Sequence, residues 1–165
     1  PLGALQLCAD GDALVGVHFL DAATSLSVSP VAAATPLLRR AQAQLQAYFR
    51  GETVVFDLPL QLHGTPFQQA VWRALQGVPA GQTISYAELA QRLGLPATHA
   101  RAVGAAVGRN PLLIVVPCHR IVGRDGTLTG YAAGLPRKQA LLDLECSRRL
   151  HDASFDASCR APQAA

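Results

Sequence analysis

Cys118, His119 and Arg120 follow one another directly at the end of the apolar run Leu112–Pro117. A cysteine has a free pKa of about 8.5, and only its thiolate is a strong nucleophile. An imidazole and a guanidinium as neighbours supply positive character that favours the thiolate. In an extended segment, consecutive side chains point to opposite faces, so His119 is expected to reach the thiol through a turn or a bridging water. An acid that orients the imidazole would complete such a relay. Glu145 is one candidate and Asp125 and Asp143 are others; spacing does not choose among them. A cysteine after an apolar run is, by itself, equally well read as an inert buried thiol. What favours chemistry is the cluster: Pro-Cys-His-Arg closes a buried strand, and the glycine-rich stretch GRDGTLTGYAAG follows.

The elements that must position this cluster fall into two blocks. LGALQLCAD and ALVGVHFLD read as short strands separated by the turn signal DGD. Pro36 opens PLLRRAQAQLQAYFRG, in which Leu37, Leu38, Ala41, Leu45, Tyr48 and Phe49 recur at helical spacing, and Gly51 stands where a C-terminal cap belongs. TVVFDLPLQL is a further strand, with Pro59 confining it to a sheet edge. These elements predict a small α+β subdomain over residues 1–60.

From Thr65 onward the pattern is helical. TPFQQAVWRALQGV has Thr65 as N-cap, Pro66 in the first position, and Phe67, Ala70, Val71 and Leu75 inward, with Trp72 in the core. SYAELAQRLGL opens with a capping box, Ser85 and Glu88. A second helix begins at about Pro96, and the tight turn around Gly94 makes the pair a helix-turn-helix pattern, one that many helical bundles share. Ala100, Ala102, Gly104, Ala105, Ala106 and Gly108 leave this second helix almost free of bulk, so it can approach a core element or a nucleic-acid backbone closely. Arg101 and Arg109 are its charges, and Asn110-Pro111 ends it. LPRKQALLDLE predicts a closing helix, with Arg137 and Lys138 as surface charges or pocket-rim groups. Residues 147–165 read as a disordered tail.

Bulk properties set loose bounds. A chain of 165 residues, half of them apolar, can bury one core or two small ones. A net charge of +3 permits an acidic partner such as nucleic acid without requiring one. Cys8, Cys118, Cys146 and Cys159 form no C-x-x-C pair and no framework, which predicts unpaired thiols in a reducing cytoplasm. No apolar run is long enough to span a bilayer, and no secretory signal opens the sequence.

PCHRIV, the upstream RAVGAAVGRNP and the downstream LTGYAAGLPRKQALLDLE closely resemble the O6-alkylguanine-DNA alkyltransferases, and GTPFQQAVWRALQGVPAGQTISYAELA is similar to the same family. The resemblance covers about residues 60–145, and the first sixty match more loosely. It implies an α+β protein with a small ribonuclease H-like sheet-plus-helix subdomain, 1–60. A winged-helix/helix-turn-helix domain, 64–146, would carry the nucleophile. The implied activity is a single-turnover methylated-DNA–protein-cysteine S-methyltransferase. It would move the alkyl group irreversibly and stoichiometrically from O6-alkylguanine, and from O4-alkylthymine, in DNA to Cys118.

Residue by residue, the resemblance implies that Cys118 is nucleophile and acceptor, that His119 takes its proton through a water, and that Glu145 orients His119. Tyr86 would donate a proton to the leaving guanine, and Asn110 would be the hinge. Arg101 would enter the base stack, with Tyr86, Ala100, Ala102 and Gly104 also against the DNA; extruding a base is costly, and an inserted side chain offsets part of that cost. Pro117, Val122, Tyr131, Ala132 and Ala133 would line the substrate pocket. The implied partner is double-stranded DNA, bound through its minor groove by a cytoplasmic, membrane-free monomer; cooperative binding stays open. No cofactor is implied. Some relatives hold zinc, but Cys8, His18 and His63 lack a second nearby cysteine, so no metal is expected.

This sequence departs from its relatives at two pocket positions. Ala132 has no hydroxyl, so only its backbone N–H could hold O6. Ala133 leaves the pocket open, which favours groups larger than methyl. The alternative reading is a non-catalytic, damage-sensing DNA-binding protein. A cysteine hydrolase is disfavoured because no oxyanion signature or separate cleft is evident.

Overall fold

The computed structural model describes residues 2–20, 35–52 and 55–151. The chain divides into two units: residues 1–63 with 111–115, and residues 64–110 with 116–165.

In the first unit, β1 (Ala4–Asp10) and β2 (Ala13–Leu20) form an antiparallel hairpin, with a register shift between Cys8 and Ala9. Gly11, at φ +55°, makes the turn that the DGD signal predicts. Leu14 and Val17 turn into the core. Helix α1 (Pro36–Phe49) is capped by Thr35, whose hydroxyl accepts from Leu38 N, and it buries Ala41, Leu45 and Tyr48 at the expected spacing. The edge strand expected over TVVFDLPLQL reduces, among the described residues, to a single bridge between Leu14 and Leu60. Pro59 has no N–H to give, and the Gln44 side-chain amide brackets Asp57, donating to its carbonyl at 3.0 Å and accepting from its N–H at 2.9 Å. A side chain thus occupies the place of a neighbouring strand.

The largest departure concerns Leu112–Pro117, expected as a buried strand. Leu112 makes one parallel bridge to Val17, and residues 111–115 belong to the first unit. Ile114 is buried with φ +72°, a left-handed conformation that costs a β-branched residue on the order of 1–3 kcal/mol. The backbone then turns tightly, Val115 N donating to Leu113 O and Cys118 N to Val116 O, and Cys118–Arg120 forms a 3-10 turn. The cysteine is therefore presented by a coiled segment and not by the end of a strand.

In the second unit, α2 (Pro66–Gln76) begins with a capping box between Thr65 and Gln68 and buries Val71, Trp72 and Leu75. Phe67, expected inward, is 38% exposed because it sits in the first turn, ahead of the packed stripe. Trp72 is core as expected, and its indole N–H donates to Ala106 O at 2.9 Å. β3 (Ile84–Ser85) runs directly into α3 (Tyr86–Arg92), where Ser85 and Glu88 form the predicted capping box. After Gly94 at φ +73° and a 3-10 turn over Ala97–His99 comes α4 (Ala100–Val107). This helix starts four residues later than expected, because Pro96 is extended and no side chain caps it. Helix α4 buries Val103, Ala106 and Val107 and leaves Arg101 and Ala102 exposed.

β4 (Ile121–Val122) pairs in parallel with β3, and α5 (Leu135–His151) closes the unit. Helix α5 continues five residues into the stretch expected as a tail; residues 152–165 lie outside the described residues. The α+β class read from the sequence holds. No helix among the described residues is long and apolar enough to cross a membrane.

Candidate active site

The chain leaves the second unit at Asn110 and re-enters it at Val116. Asn110 ties these two points together: its Nδ2 donates to Val116 O at 2.8 Å and to Cys118 Sγ at 3.0 Å. One buried amide thus closes the base of the excursion and aims the thiol. Cys118 is 3% exposed, and burial pushes its thiol up to about 11, partly offset by the Asn110 hydrogen bond and the positive charge of Lys138. The resting thiol is therefore protonated and shielded, a state that resists oxidation and stray alkylation. Alkylation of Cys118 by iodoacetamide, read by peptide mass mapping, is therefore expected to rise about tenfold per pH unit and level off only near pH 11. A plateau at the ordinary cysteine value of about 8.5 would contradict the buried-thiol reading.

Of the three acids that the sequence left open, Glu145 on α5 is the one at His119, with Oε1 2.9 Å from Nε2. Asp125 is engaged by Thr127 in its own loop, and Asp143 accepts from Gln139. Arg120 was expected to lend its charge to the thiol. Instead it is buried against Glu145, donating from Nε at 2.9 Å and from its terminal nitrogen at 2.7 Å, with a further bond to Val78 O. Gly81 N also donates to Glu145 at 3.1 Å. Burial alone would raise the Glu145 carboxyl, but the hydrogen bonds and charge of His119 and Arg120 outweigh it and hold the group well below the usual carboxylate range. Arg120 is permanently charged, so Glu145 is ionised in either state of His119.

This settles the imidazole tautomer. A carboxylate only accepts, so His119 Nε2 carries the hydrogen and Nδ1 holds the lone pair. Burial lowers the His119 pKa more than Glu145 raises it, keeping the ring neutral. Nδ1 is buried and has no partner within the protein. A neutral base with a free, buried lone pair can take a proton directly or through one water.

Lys138, read from the sequence as a surface charge or a pocket-rim group, is neither exposed nor at a rim. It is fully buried, and its ammonium donates to the carbonyls of Ile121, Thr129 (2.6 Å) and Gly130 (3.5 Å). Burial draws its pKa down to about 8, partly countered by Cys118. Lys138, and not Arg120, is the cation whose field reaches the thiol. The signal for its burial is its place on the stripe of Leu135, Leu141, Leu142 and Glu145, three or four residues apart.

The other named residues distribute around this centre. Pro117 and Val122 are buried, Ala132 is exposed, and Ala133 O accepts from Arg137. The Tyr131 hydroxyl is buried without a partner, and burial, then the nearby Cys118, raises its pKa. Tyr86 heads α3 and, with Ser85, Ala100 and Arg124, lines a surface cavity of about 700 Å³. Its ring lies over Gly104, where an added Cβ would come 3.5 Å from Cδ1 and Cε1. Among the described residues no group of three His, Cys, Asp or Glu could hold a metal ion. Cys8 and Cys118 are free thiols, whereas Cys146 is disulfide-bonded, contrary to the expectation of unpaired cysteines throughout.

The DNA binding domain of 6-O-methylguanine DNA methyltransferase matches residues 66–147, and the ribonuclease-like domain of the same family matches residues 1–62. A methylated-DNA–protein-cysteine methyltransferase of Mycobacterium tuberculosis is 47% identical over 148 residues, spanning 90% of this chain and 89% of that one. The relative from Methanosarcina acetivorans is 44% identical, spanning 89% and 94%. Among solved structures, the M. tuberculosis OGT in complex with DNA superposes with a TM-score of 0.80 at 47% identity, covering 89% of each chain. An O6-methylguanine DNA methyltransferase from Methanococcus jannaschii superposes at 0.67 and 27% identity, covering 93% and 92%.

Proposed function

The chain belongs to the methylated-DNA–protein-cysteine methyltransferase family, and from that premise we propose that it repairs DNA by moving the alkyl group of O6-alkylguanine, and of O4-alkylthymine, onto Cys118. The observation that carries the reading is the chain of contacts from Asn110 to Cys118 and from His119 to Glu145, with the His119 Nδ1 lone pair free. The relatives' names and the DNA in the M. tuberculosis OGT structure support the substrate class.

The step runs as an in-line displacement. Cys118 Sγ attacks the alkyl carbon, and the S–C bond forms as the C–O6 bond breaks. The thiol proton passes through a water to His119 Nδ1, and Glu145 stabilises the resulting imidazolium. Tyr86 gives its phenolic hydrogen to the purine ring. A thioether has no leaving group that this site could activate, so each protein acts once. Because the target carbon is inaccessible within the stack, the nucleotide is extruded first. Helix α4, where Ala100, Ala102 and Gly104 add little bulk, enters the minor groove, and Arg101 fills the vacated position. Pro117, Val122, Tyr131, Ala132 and Ala133 form the pocket. The protein acts as a cytoplasmic monomer.

The test is the intact mass of the protein after incubation with a duplex containing O6-methylguanine. A gain of one methylene unit, located on Cys118, is expected at one equivalent. Binding of the duplex without a mass gain would favour the damage sensor, and turnover beyond one equivalent would overturn single use. Arg101→Ala is expected to slow transfer from duplex about tenfold or more while leaving the rate on free O6-benzylguanine within about twofold. Equal losses on both substrates would remove its role in extrusion.

A further inference from the structure

We propose that Thr129 is a positioning residue for Tyr86, orienting the phenol so that its hydrogen faces the departing purine; this rests on the alkyl-transfer reading above. Thr129 Oγ1 donates to Tyr86 Oη at 3.4 Å. With its oxygen accepting from Thr129, Tyr86 keeps its own hydrogen for the base. Thr129 is itself held: the buried Lys138 ammonium grips its carbonyl at 2.6 Å and reaches the carbonyl of Gly130 as well. Gly104 of α4 supports one side of the Tyr86 ring. The phenol is thus fixed between a helix face and a hydroxyl that is pinned from the helix α5 side.

The chemistry needs such a partner at a defined moment. As the C–O6 bond breaks, its electron pair moves onto the purine and the ring nitrogen takes the Tyr86 hydrogen. The phenolate left behind is stabilised by a donor already in place, and Thr129 Oγ1 is that donor. Water restores the proton afterwards. A separation of 3.4 Å is long for two hydroxyls, as is common for catalytic hydrogen bonds in unliganded sites, which tighten when substrate excludes water.

The test compares Thr129→Val, which removes the hydroxyl at constant shape, with Thr129→Ser, which keeps it. The substrates are O6-benzylguanine and an 8-azapurine analogue, whose released anion needs the proton less. Thr129→Val is expected to slow Cys118 alkylation by O6-benzylguanine about tenfold, to slow the analogue clearly less, and to lose its effect in a Tyr86→Phe background. Thr129→Ser is expected to match the wild type. Equal slowing on both purines, or slowing that persists in Tyr86→Phe, would mean a structural role and overturn the proposal. So would wild-type rates in Thr129→Val. A wild-type protein that fails to become alkylated would instead overturn the transfer reading itself.

Discussion

Replacing Glu145 with glutamine is expected to lower alkyl transfer about 100-fold and to cost about 3–5 kcal/mol of stability. The carboxylate is the acceptor for two bonds from Arg120, one from His119 and one from Gly81. An amide has one acceptor oxygen where the carboxylate has two, so Arg120 keeps its charge in a buried site without a counter-ion. For a chain of this size that loss lowers the melting temperature by roughly 10 °C. The rate loss has a separate origin. Without the carboxylate, nothing fixes the hydrogen on Nε2, and the imidazolium formed when Nδ1 takes a proton has no partner. The double variant Glu145→Met with Arg120→Met tells the two effects apart. Removing both charges is expected to restore most of the melting temperature, because an ion pair replaced by apolar side chains is often neutral. Transfer should stay low. Recovery of transfer along with stability would mean that Glu145 serves the fold alone.

The cluster of Pro117, Cys118 and His119 was legible because it is local: a proline, a thiol and an imidazole in one short run. Helix starts were legible for the same reason, since Thr65 with Gln68 and Ser85 with Glu88 are capping boxes written within four residues. What stayed hidden depends on partners far along the chain. Nothing near Arg120 says that Val78 and Glu145 will enclose it, so its charge read as available to the thiol. The run Leu-Leu-Ile-Val-Val has the composition of a strand, yet the Asn110 side chain and a left-handed Ile114 bend it into turns. Propensity argues against that backbone at isoleucine, so no local rule would have chosen it. The departure is informative because strained conformations persist where their surroundings enforce them, and this one lies four residues before Cys118.

Lys138 carries the second large effect. Lys138→Met keeps the length of the side chain and removes its donors and charge. The carbonyls of Ile121 and Thr129 lose a buried partner, with Gly130 more weakly affected, at a net cost of about 2 kcal/mol. Transfer is expected to fall about tenfold, because the cation that favours the Cys118 thiolate is gone and the segment leading to Tyr131 is no longer held. Lys138→Arg should not rescue it, since a planar guanidinium does not fit a site shaped for a compact ammonium.

The pH dependence gives this prediction its sign. Folding lowers the Lys138 pKa from 10.5 to about 8. Below pH 8 the lysine is protonated in both states and contributes no slope. Between pH 8 and 10.5 the unfolded chain binds a proton that the folded protein has released, so the wild type gains stability with rising pH, by roughly 3 kcal/mol in full. Cys118 works in the opposite sense between pH 9 and about 11, but it is present in both proteins and largely cancels in the difference. Denaturant unfolding of wild type and Lys138→Met at pH 7.5 and pH 10 should therefore show the gap widening at the higher pH. A gap that narrows would mean that the ammonium form is what the fold requires, and that Lys138 is stabilised as a cation by its carbonyls more than burial penalises it.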